Sequence, residues 1–418
     1  MVRRFYKSVK SHKIIVQNTG YLSLIEIMRL ALPFIALPYV IRTIGADKYG
    51  TIVFAQTVIS YFVIFVNFGI DVSAVKDVAI NRNNRDNLSL VVSSVMIVKS
   101  FLCLLAFFVL LLGMMFIPYL AKERLLYLFA FFTCFSEILF PVWFYQGVEK
   151  MKYLTFIRLV SIIFYTLTVF IFVRSSEDYI NVVLLQSIGC ILSGGVSFYV
   201  LLKIERIRLS FPGFSILKCC FVDSIPFFIS RLSVVLNNGM AKLVSGIFFS
   251  MDAVAAFDLA QKIATTAMIP MQMMNQAVYP HIANTKSLSF IRKYLIINVF
   301  LSLIASLFVY VMSPYIISIF AGTQLNSAVL LLRILCLWIF VGGITSYIGA
   351  PVLVSFGYSK PFNRSVILST VSLLLIYLLC YLADIFSIYN FAITLVLSEF
   401  IILIYRFYFC LKLRIFYI

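Results

Sequence analysis

Long apolar segments dominate this chain of 418 residues. Hydrophobic residues make up 63% of it and charged residues 12%, whereas soluble domains have roughly 45–50% and about 25%. A water-soluble core could not bury this much apolar surface, so lipid must be the solvent for most of the chain. A membrane-spanning helix needs about 20 apolar residues. The sequence predicts twelve spans, at about 21–41, 52–70, 90–112, 125–146, 155–173, 181–202, 222–249, 254–279, 294–313, 328–356, 365–383 and 389–411.

The second half of the chain repeats features of the first half. The pattern Asp-x7-Ala-Gln at Asp47 recurs at Asp252, an offset of 205 residues. The pattern Pro-Val-x4-Gly-x2-Lys at Pro141 recurs at Pro351, an offset of 210 residues. Six predicted spans fall in each half, so both halves enter the membrane from the same side. We therefore expect an all-α integral membrane protein of two pseudo-symmetric six-helix bundles, residues 1–210 and 211–418.

Basic residues are distributed unequally over the predicted loops. With the N-terminus in the cytoplasm, 22 of the 34 lysines and arginines lie in cytoplasmic segments and 5 lie in outside loops. An excess of this kind sets the orientation of a membrane protein, which predicts that both termini are cytoplasmic. The net charge of +18 follows from this topology and does not indicate nucleic acid as a partner.

Ionisable residues inside predicted spans are the strongest signal for function. Each costs about 2.5–3.5 kcal/mol near the bilayer centre unless it is paired or hydrated, so we expect them to face the bundle interior or water. Basic residues outnumber acidic ones, which leaves the interior cationic and suits an anion such as phosphate. These residues are Arg29, Lys99, Arg158, Arg231, Lys242, Lys262 and Arg333, with Glu26, Glu137, Asp258 and Glu399.

Some of these charges also have a purely structural interpretation. Glu26 and Arg29 are spaced i,i+3, and Asp258 and Lys262 are spaced i,i+4. Each pair can neutralise itself on one helix face. Arg158 and Arg333 lie near the ends of their spans, where a long side chain can reach water. The sequence alone leaves both interpretations open for the two pairs and for these two arginines.

Other charges lie deep in their spans and lack a neighbour of opposite sign. Lys99 is about ten residues into the third span. Arg231, Asn238 and Lys242 fall on nearly one face of the seventh span, which contains Pro226. Proline favours a kink, and irregular helices at membrane depth line cavities. This strip is predicted to be the wall of a hydrated cavity.

Four loose motifs occur in order along the chain: Pro33-x4-Pro38-Tyr39-x2-Arg42-x2-Gly45-x3-Tyr49-Gly50, Asn67-Phe68-Gly69, Trp143-Phe144-x-Gln146-Gly147-x-Glu149-Lys150-Met151 and Leu353-x3-Gly357-Tyr358-Ser359-Lys360. In these motifs the chain resembles the Wzx-type O-unit flippases. Those proteins are polysaccharide transporters of the multidrug/oligosaccharidyl-lipid/polysaccharide (MOP) flippase superfamily. The resemblance covers the whole length and is strongest in the part of the chain that ends near Val160.

The resemblance implies a MATE/MOP-like fold with a central cationic cavity, lined chiefly by spans 1, 2, 7 and 8. It implies a transporter without a cofactor, metal or catalytic site. This flippase would move undecaprenyl-pyrophosphate-linked oligosaccharide, the O-antigen repeat unit of lipopolysaccharide, from the cytoplasmic to the periplasmic leaflet of the bacterial inner membrane. An O-antigen polymerase and a chain-length regulator are implied partners.

The candidate site residues follow from their positions in these spans or, for Lys99 in the third span, from the charge pattern alone. The resemblance and the charge pattern together make the candidate substrate ligands Arg29, Arg231, Lys242, Lys262, Lys99 and Asn238. Glu26 and Asp258 are candidates for carrying a coupling ion, H⁺ or Na⁺. Polar side chains that would contribute to sugar specificity are Asn237, Asn238, Gln272 and Asn275.

A related exporter and an enzyme are the alternatives to this function. A lipid II flippase or a MATE-type antiporter belongs to the same superfamily, but the cationic interior does not suit drug cations, and the lipid II flippase usually has extra spans. An O-antigen polymerase or ligase would be an enzyme with a large outside loop, and the predicted outside loops are short. The chain has no Gly-x4-Gly-Lys-[Ser/Thr] motif, so no P-loop supplies ATP energy.

Overall fold

The computed structural model describes residues 32–412, which are helical almost throughout and contain no β-strand. Short 3₁₀ or π-helical segments lie at Ser176–Asp178, Val200–Ile204 and Ile348–Val354. The α-helices are α1 Leu32–Ile44, α2 Ala46–Asn67, α3 Ile70–Asn81, α4 Arg85–Phe116, α5 Pro118–Lys122, α6 Arg124–Leu139, α7 Val142–Gly147, α8 Met151–Phe172, α9 Tyr179–Tyr199, α10 Phe214–Phe248, α11 Met251–Ala267, α12 Ile269–Thr285, α13 Leu288–Ala321, α14 Ser327–Tyr347, α15 Ser359–Leu382 and α16 Ile388–Lys412.

Ten helical segments within residues 32–412 are long and apolar enough to cross a membrane. They are Ala46–Asn81, Arg85–Phe116, Arg124–Gly147, Met151–Phe172, Ser176–Ile204, Phe214–Phe248, Leu288–Ala321, Ser327–Val354, Ser359–Leu382 and Ile388–Lys412. The described part of α1 and the 17-residue helices α11 and α12 are shorter. The protein is therefore a multi-pass membrane protein.

The predicted span at 254–279 is two helices. Helix α11 ends at Ala267, and α12 begins at Ile269 with Pro270 in its first turn. Proline has no backbone N–H, and inside a helix its ring clashes with the preceding turn. At the first turn of a helix neither effect is costly. The predicted eighth span is therefore broken into α11 and α12 next to Pro270.

Helix boundaries recur at the offset of the sequence repeat. The starts of α2 at Ala46 and α11 at Met251 are separated by the same interval as Asp47 and Asp252, and these aspartates lie in the first turns of the two helices. The order of helices then repeats with similar spacings. Further matched starts are Arg85 with Leu288, Arg124 with Ser327, and Tyr179 with Ile388. The internal repeat read from the sequence is thus present in the secondary structure.

The chain divides into two compact units. The first unit contains the chain up to Ile44 together with Ile59–Phe228, and the second contains Gly45–Val58 together with the chain from Ile229 onward. Helices α2 and α10 each contribute to both units. The boundary expected at residue 210 refers to the sequence repeat and stays a prediction.

A buried core in the first unit joins α3, α4 and α7. Val78, Val92 and Trp143 are almost fully buried there. A Cβ on Gly147 would lie 2.5 Å from a methyl carbon of Val78. Glycine at this position therefore allows α7 to lie close against α3.

The corresponding core in the second unit contains the segment after Pro351, the repeat partner of Pro141. Val352 and Leu353 are fully buried, and the hydroxyl of buried Tyr347 donates to the Ile291 carbonyl at 2.9 Å. Pro351 lies inside the π-helix, and Pro141 lies between α6 and α7. Both copies of the repeated motif thus interrupt regular helix, which follows from the missing N–H of proline.

Candidate functional site

The predicted site residues fall into three groups. Glu26 and Arg29 lie outside the described residues 32–412. Lys99 lies on α4 in the first unit. The others belong to the second unit: Arg231, Asn238, Lys242, Asp258 and Lys262.

An ion cluster forms in the second unit around the carboxylate of Asp258. The Nζ of Lys262 lies 2.7 Å from Oδ2, and the Nζ of Lys242 lies 3.2 Å from Oδ1. The Tyr49 hydroxyl donates to Oδ2 at 2.7 Å and accepts from Lys262 Nζ at 3.0 Å. These four residues, from α2, α10 and α11, are called the lysine–aspartate cluster. Asp258 and Lys262 form the ion pair that their i,i+4 spacing predicts. Lys242 and Tyr49 also bind the Asp258 carboxylate.

Local sequence brings these helices together. A Cβ on Gly50 would lie 1.8 Å from the Met251 carbonyl oxygen, so only glycine allows the start of α2 to lie this close to the start of α11. The Ser250 side chain accepts from the Ala253 N–H at 3.3 Å and caps α11, as N-cap serines do. The adjacent Tyr49 is thereby held beside α11.

The lysine–aspartate cluster carries an excess of positive charge, because two ammonium groups surround one carboxylate. The Asp258 side chain is 3% exposed, whereas that of Lys262 is 42% exposed. An ammonium has three donors, and Lys262 uses one on Asp258 and one on Tyr49. Because the Lys262 side chain is 42% exposed, its third donor suits an external anion such as a phosphate oxygen. Within residues 32–412, no group of three or more His, Cys, Asp or Glu side chains could hold a metal ion.

The predicted polar strip on α10 is largely exposed. Arg231 and Asn238 are exposed, and Lys242 is partly buried in the lysine–aspartate cluster. The neighbouring Asn237 faces elsewhere, because its Nδ2 lies 3.2 Å from the Ser369 hydroxyl. That the strip lines a hydrated cavity stays a prediction.

Lys99 belongs to a second polar cluster, in the first unit. Its Nζ lies 2.5 Å from an Asp71 carboxylate oxygen and donates to Asn67 Oδ1 at 2.8 Å. Asn67 in turn donates to Glu137 at 3.1 Å. We call Asn67, Asp71, Lys99 and Glu137 the charged network. Lys99 is 2% exposed, so its charge is balanced inside the unit by Asp71.

One buried cation was missed by the sequence reasoning. The count of cytoplasmic charges includes Arg406, yet its side chain is buried within the second unit. It donates to the Ser365 hydroxyl at 2.9 Å and to the Thr345 carbonyl at 2.7 Å. Glu399, two turns earlier on α16, accepts from the Thr345 hydroxyl. The available signal was the i,i+7 spacing of an acid and a base in an apolar helix.

Known proteins resemble this chain in sequence and in fold. A sequence profile of the family described as polysaccharide biosynthesis proteins matches residues 15–286. A protein of Escherichia coli K12 named as a putative O-antigen transporter is 24% identical over 392 residues, covering 92% of this chain and 93% of that protein.

Two solved structures show the fold. An inward-facing MATE family transporter of the MOP superfamily matches with a TM-score of 0.75 and 14% identity, covering 93% of this chain and 94% of its own. The lipid II flippase MurJ, in an inward closed conformation, matches with a TM-score of 0.74 and 15% identity, covering 94% and 87%. The helices are therefore arranged in a MATE/MurJ-like fold.

Proposed function

Because the chain belongs to the polysaccharide biosynthesis protein family, we propose that it is a transporter that flips a lipid-linked oligosaccharide. The cargo in this proposal is an O-antigen repeat unit on undecaprenyl pyrophosphate. It moves from the cytoplasmic to the periplasmic leaflet of the bacterial inner membrane. The naming of the E. coli relative as a putative O-antigen transporter over 92% of the chain supports this assignment, and so does the MATE/MurJ-like fold.

The observation that carries the proposal is the lysine–aspartate cluster. A lipid-linked pyrophosphate brings anionic oxygens that cannot enter hydrocarbon unaided. Lys262 offers a partly exposed ammonium that Asp258 and Tyr49 hold in place. Basic groups of this kind replace the water lost by phosphate oxygens. Lys262 is therefore the primary headgroup ligand in this proposal, with Arg231, Asn238 and Lys242 extending the contact along α10.

Transport proceeds in this proposal by alternating access. The saccharide and pyrophosphate cross in a hydrated cleft while the polyprenyl tail stays in lipid. Rocking of one bundle against the other opens the cleft to each side in turn. The sequence contains no Gly-x4-Gly-Lys-[Ser/Thr] motif. In this proposal an ion gradient, the membrane potential or removal of product supplies the direction.

We consider two roles for Asp258, which differ in whether its carboxylate takes up a proton. As an anchor, its carboxylate stays ionised and holds Lys242 and Lys262. As a coupling group, it would take up a proton beside two ammonium groups, which favour the anion and so oppose protonation. The anchoring use therefore comes first, and Asp258 and Glu26 stay as proposed ion-coupling groups. Asp258→Asn separates the two uses, since loss of headgroup binding reports the anchor and loss of gradient dependence alone reports coupling.

The proposed topology has twelve spans with both termini in the cytoplasm. Cys219 is exposed near the start of α10, on the predicted cytoplasmic side. A membrane-impermeant maleimide should label Cys219 only after the inner membrane is opened, and Cys219→Ser is the control for specificity. Ser176→Cys, exposed beyond α8, should be labelled in intact cells. Labelling of Cys219 in intact cells would invert the topology.

A drug/cation antiporter is the main rival, because a MATE transporter shares the fold. Fold does not separate the two functions, but charge does. An exposed lysine repels organic cations and attracts pyrophosphate. The surplus cation at Lys262 therefore favours the anionic cargo.

The proposal is tested in a strain that lacks the gene and cannot export O-antigen. Wild-type protein should restore O-antigen on lipopolysaccharide. Lys262→Ala, Arg231→Ala and Lys242→Ala should each lower export at unchanged protein level, while Lys122→Ala, an exposed lysine on α5, should not. Full export by the Lys262→Ala/Arg231→Ala/Lys242→Ala variant would refute this headgroup site.

A further inference from the structure

A cavity of about 410 Å³ lies in the second unit between α12 and the end of α14. Gln272, Asn275, Gln276 and Tyr279 line it from α12. Ser346, Ala350 and Pro351 line it from α14 and the π-helix that follows. Its volume is within the range of about 300–1,000 Å³ typical of small-molecule sites. It contains none of the residues of the lysine–aspartate cluster.

The α12 wall is a polar stripe on a helix whose other residues up to Pro280 are apolar. Its four lining residues are spaced i, i+3, i+4 and i+7, which places them on one helix face. Gln272, Gln276 and Tyr279 are exposed. Their side chains make no hydrogen bond with any residue in the range 32–412. These amides and this phenol therefore present free donors and acceptors to the cavity.

The floor of the cavity is held rigidly by buried amides. Asn275 is 6% exposed; it donates to the Ser346 hydroxyl at 2.9 Å and accepts from Asn298 at 3.1 Å. Fully buried Ser302 donates to the Asn298 carbonyl at 2.7 Å. We call Asn275, Asn298, Ser302 and Ser346 the amide network. Because its members hydrogen bond to one another, the orientation of the floor is set before any ligand binds.

The wall of the cavity opposite α12 is formed by a π-helical segment. The π-helix Ile348–Val354 places Ala350 and Pro351 at the cavity. π-helical turns occur frequently at functional sites. The surfaces of Ala350, Pro351 and the Tyr279 ring are apolar. The cavity thus combines apolar walls with amide groups.

This combination selects the chemistry of the ligand. None of the seven lining residues is acidic or basic, so the cavity does not recognise a charged group by ion pairing. Amides hydrogen bond to hydroxyl and acetamido groups, and apolar and aromatic surfaces pack against C–H faces. A neutral sugar ring presents both kinds of surface. We propose that this cavity is a saccharide subsite that binds uncharged sugar residues of the lipid-linked cargo, separate from the headgroup site at Lys262. This proposal rests on the proposed flippase function.

The experiment measures binding of two lipids to purified protein in detergent. One is undecaprenyl pyrophosphate without sugar, and the other is the lipid-linked saccharide pool extracted from the deletion strain. Gln272→Ala/Gln276→Ala should weaken binding of the saccharide lipid about tenfold or more, because two ligand hydrogen bonds are lost. Its binding of undecaprenyl pyrophosphate should not change. Gln324→Ala, an exposed glutamine outside the cavity, is the matched control.

A second variant tests the same cavity by volume. Ala350→Phe should fill it and lower the affinity for the saccharide lipid alone, while Lys262→Ala should lower the affinity for both lipids. If wild-type protein binds neither lipid, the proposed function itself fails. If wild-type protein binds both and Gln272→Ala/Gln276→Ala and Ala350→Phe bind the saccharide lipid normally, the subsite is overturned and the function stands. An equal loss for both lipids in these variants also overturns the subsite.

Discussion

The two halves of the chain place buried polar networks at equivalent helix positions but build them from different groups. Lys99 lies as far beyond the start of α4 as Ser302 lies beyond the start of α13. The charged network around Lys99 contains an ion pair with Asp71. The amide network around Ser302 has no ionisable member. A repeat can therefore keep its helix order while the chemistry of its interior diverges.

The difference has a physical consequence for each half. Lys99 is almost fully buried, while the Asp71 side chain is 32% exposed. An ion pair with a buried ammonium is held strongly in place, because removing the carboxylate leaves an uncompensated buried charge. A neutral network is satisfied by weaker bonds and leaves adjacent space free for a neutral ligand. The first half is thus suited to rigid helix packing at this position, and the second half to binding an uncharged group.

The largest expected effect comes from moving the charge of the first half into the second. Ser302→Lys would place an ammonium in a fully buried position without a carboxylate partner. Gly343 already lies so close that a Cβ there would be 2.1 Å from the Ser302 hydroxyl. An unpaired buried charge costs several kcal/mol, so folded protein should be nearly absent in size-exclusion chromatography of detergent extracts. Ser302→Ala is the control and should keep most of the yield. A normal yield of Ser302→Lys would contradict the conclusion that the second half cannot hold a charge at this position.

Removing the charge from the first half should have the next largest effect. Lys99→Met leaves Asp71 without its buried partner and should destabilise the protein by about 3 kcal/mol, the lower end of the range for buried pairs, because the Asp71 side chain is 32% exposed. The loss should appear as a lower thermal unfolding midpoint. Lys99→Met/Asp71→Asn should recover much of this loss. Export by the double variant then decides the further prediction that Lys99 is a substrate ligand. Normal export would leave Lys99 a structural residue, and lost export at recovered stability would support substrate contact.

A smaller effect is expected in the neutral network. Asn298→Ala removes the donor to Asn275 and should lower stability by about 1–3 kcal/mol, because a buried amide oxygen loses its partner. The thermal midpoint should fall less than in Lys99→Met. Asn181→Ala, an asparagine near the start of α9 that belongs to neither network, is the matched control. If Asn298→Ala lowered the thermal midpoint as much as Lys99→Met or more, the charge of the first network would not explain the difference between the halves.

The smallest effect is expected where an ion pair is exposed. Arg82 pairs with Glu149 at 2.9 Å, with 48% and 78% of their side chains exposed. Exposed pairs contribute about 0–1 kcal/mol, so Arg82→Ala should leave the thermal midpoint nearly unchanged. A much larger fall of the thermal midpoint in Lys99→Met than in Arg82→Ala would identify burial as the reason why the Lys99 ion pair stabilises the protein. A large shift in Arg82→Ala would contradict that explanation.

The candidate site was partly predictable from spacing. The i,i+4 interval of Asp258 and Lys262 indicated their pairing, which the structure shows. The polar spacing of Gln272 and Asn275 on one helix was also visible, and both residues line the cavity. Neither Tyr49 nor its bond to Asp258 could be predicted, because 209 residues separate the two and no local pattern specifies which helices meet.

Arg406 shows where sequence reasoning failed and why. Its place near the end of the last span made it look like one more orienting charge. Whether an arginine there reaches water or folds back depends on its neighbours. Here Ser365 and the Thr345 carbonyl accept its hydrogen bonds and Phe362 lies 4.7 Å from the guanidinium, so the side chain is satisfied inside the protein.

Composition, segment length and the half-length repeat were enough to specify a multi-pass helical membrane protein with duplicated helix order, because apolar length and proline position act within one helix. They could not specify the lysine–aspartate cluster, the charged network or the cavity beside the π-helix. Those features depend on which distant helices touch and how closely, and the contacts of Gly50 with Met251 and of Gly343 with Ser302 exist only once the chain has folded.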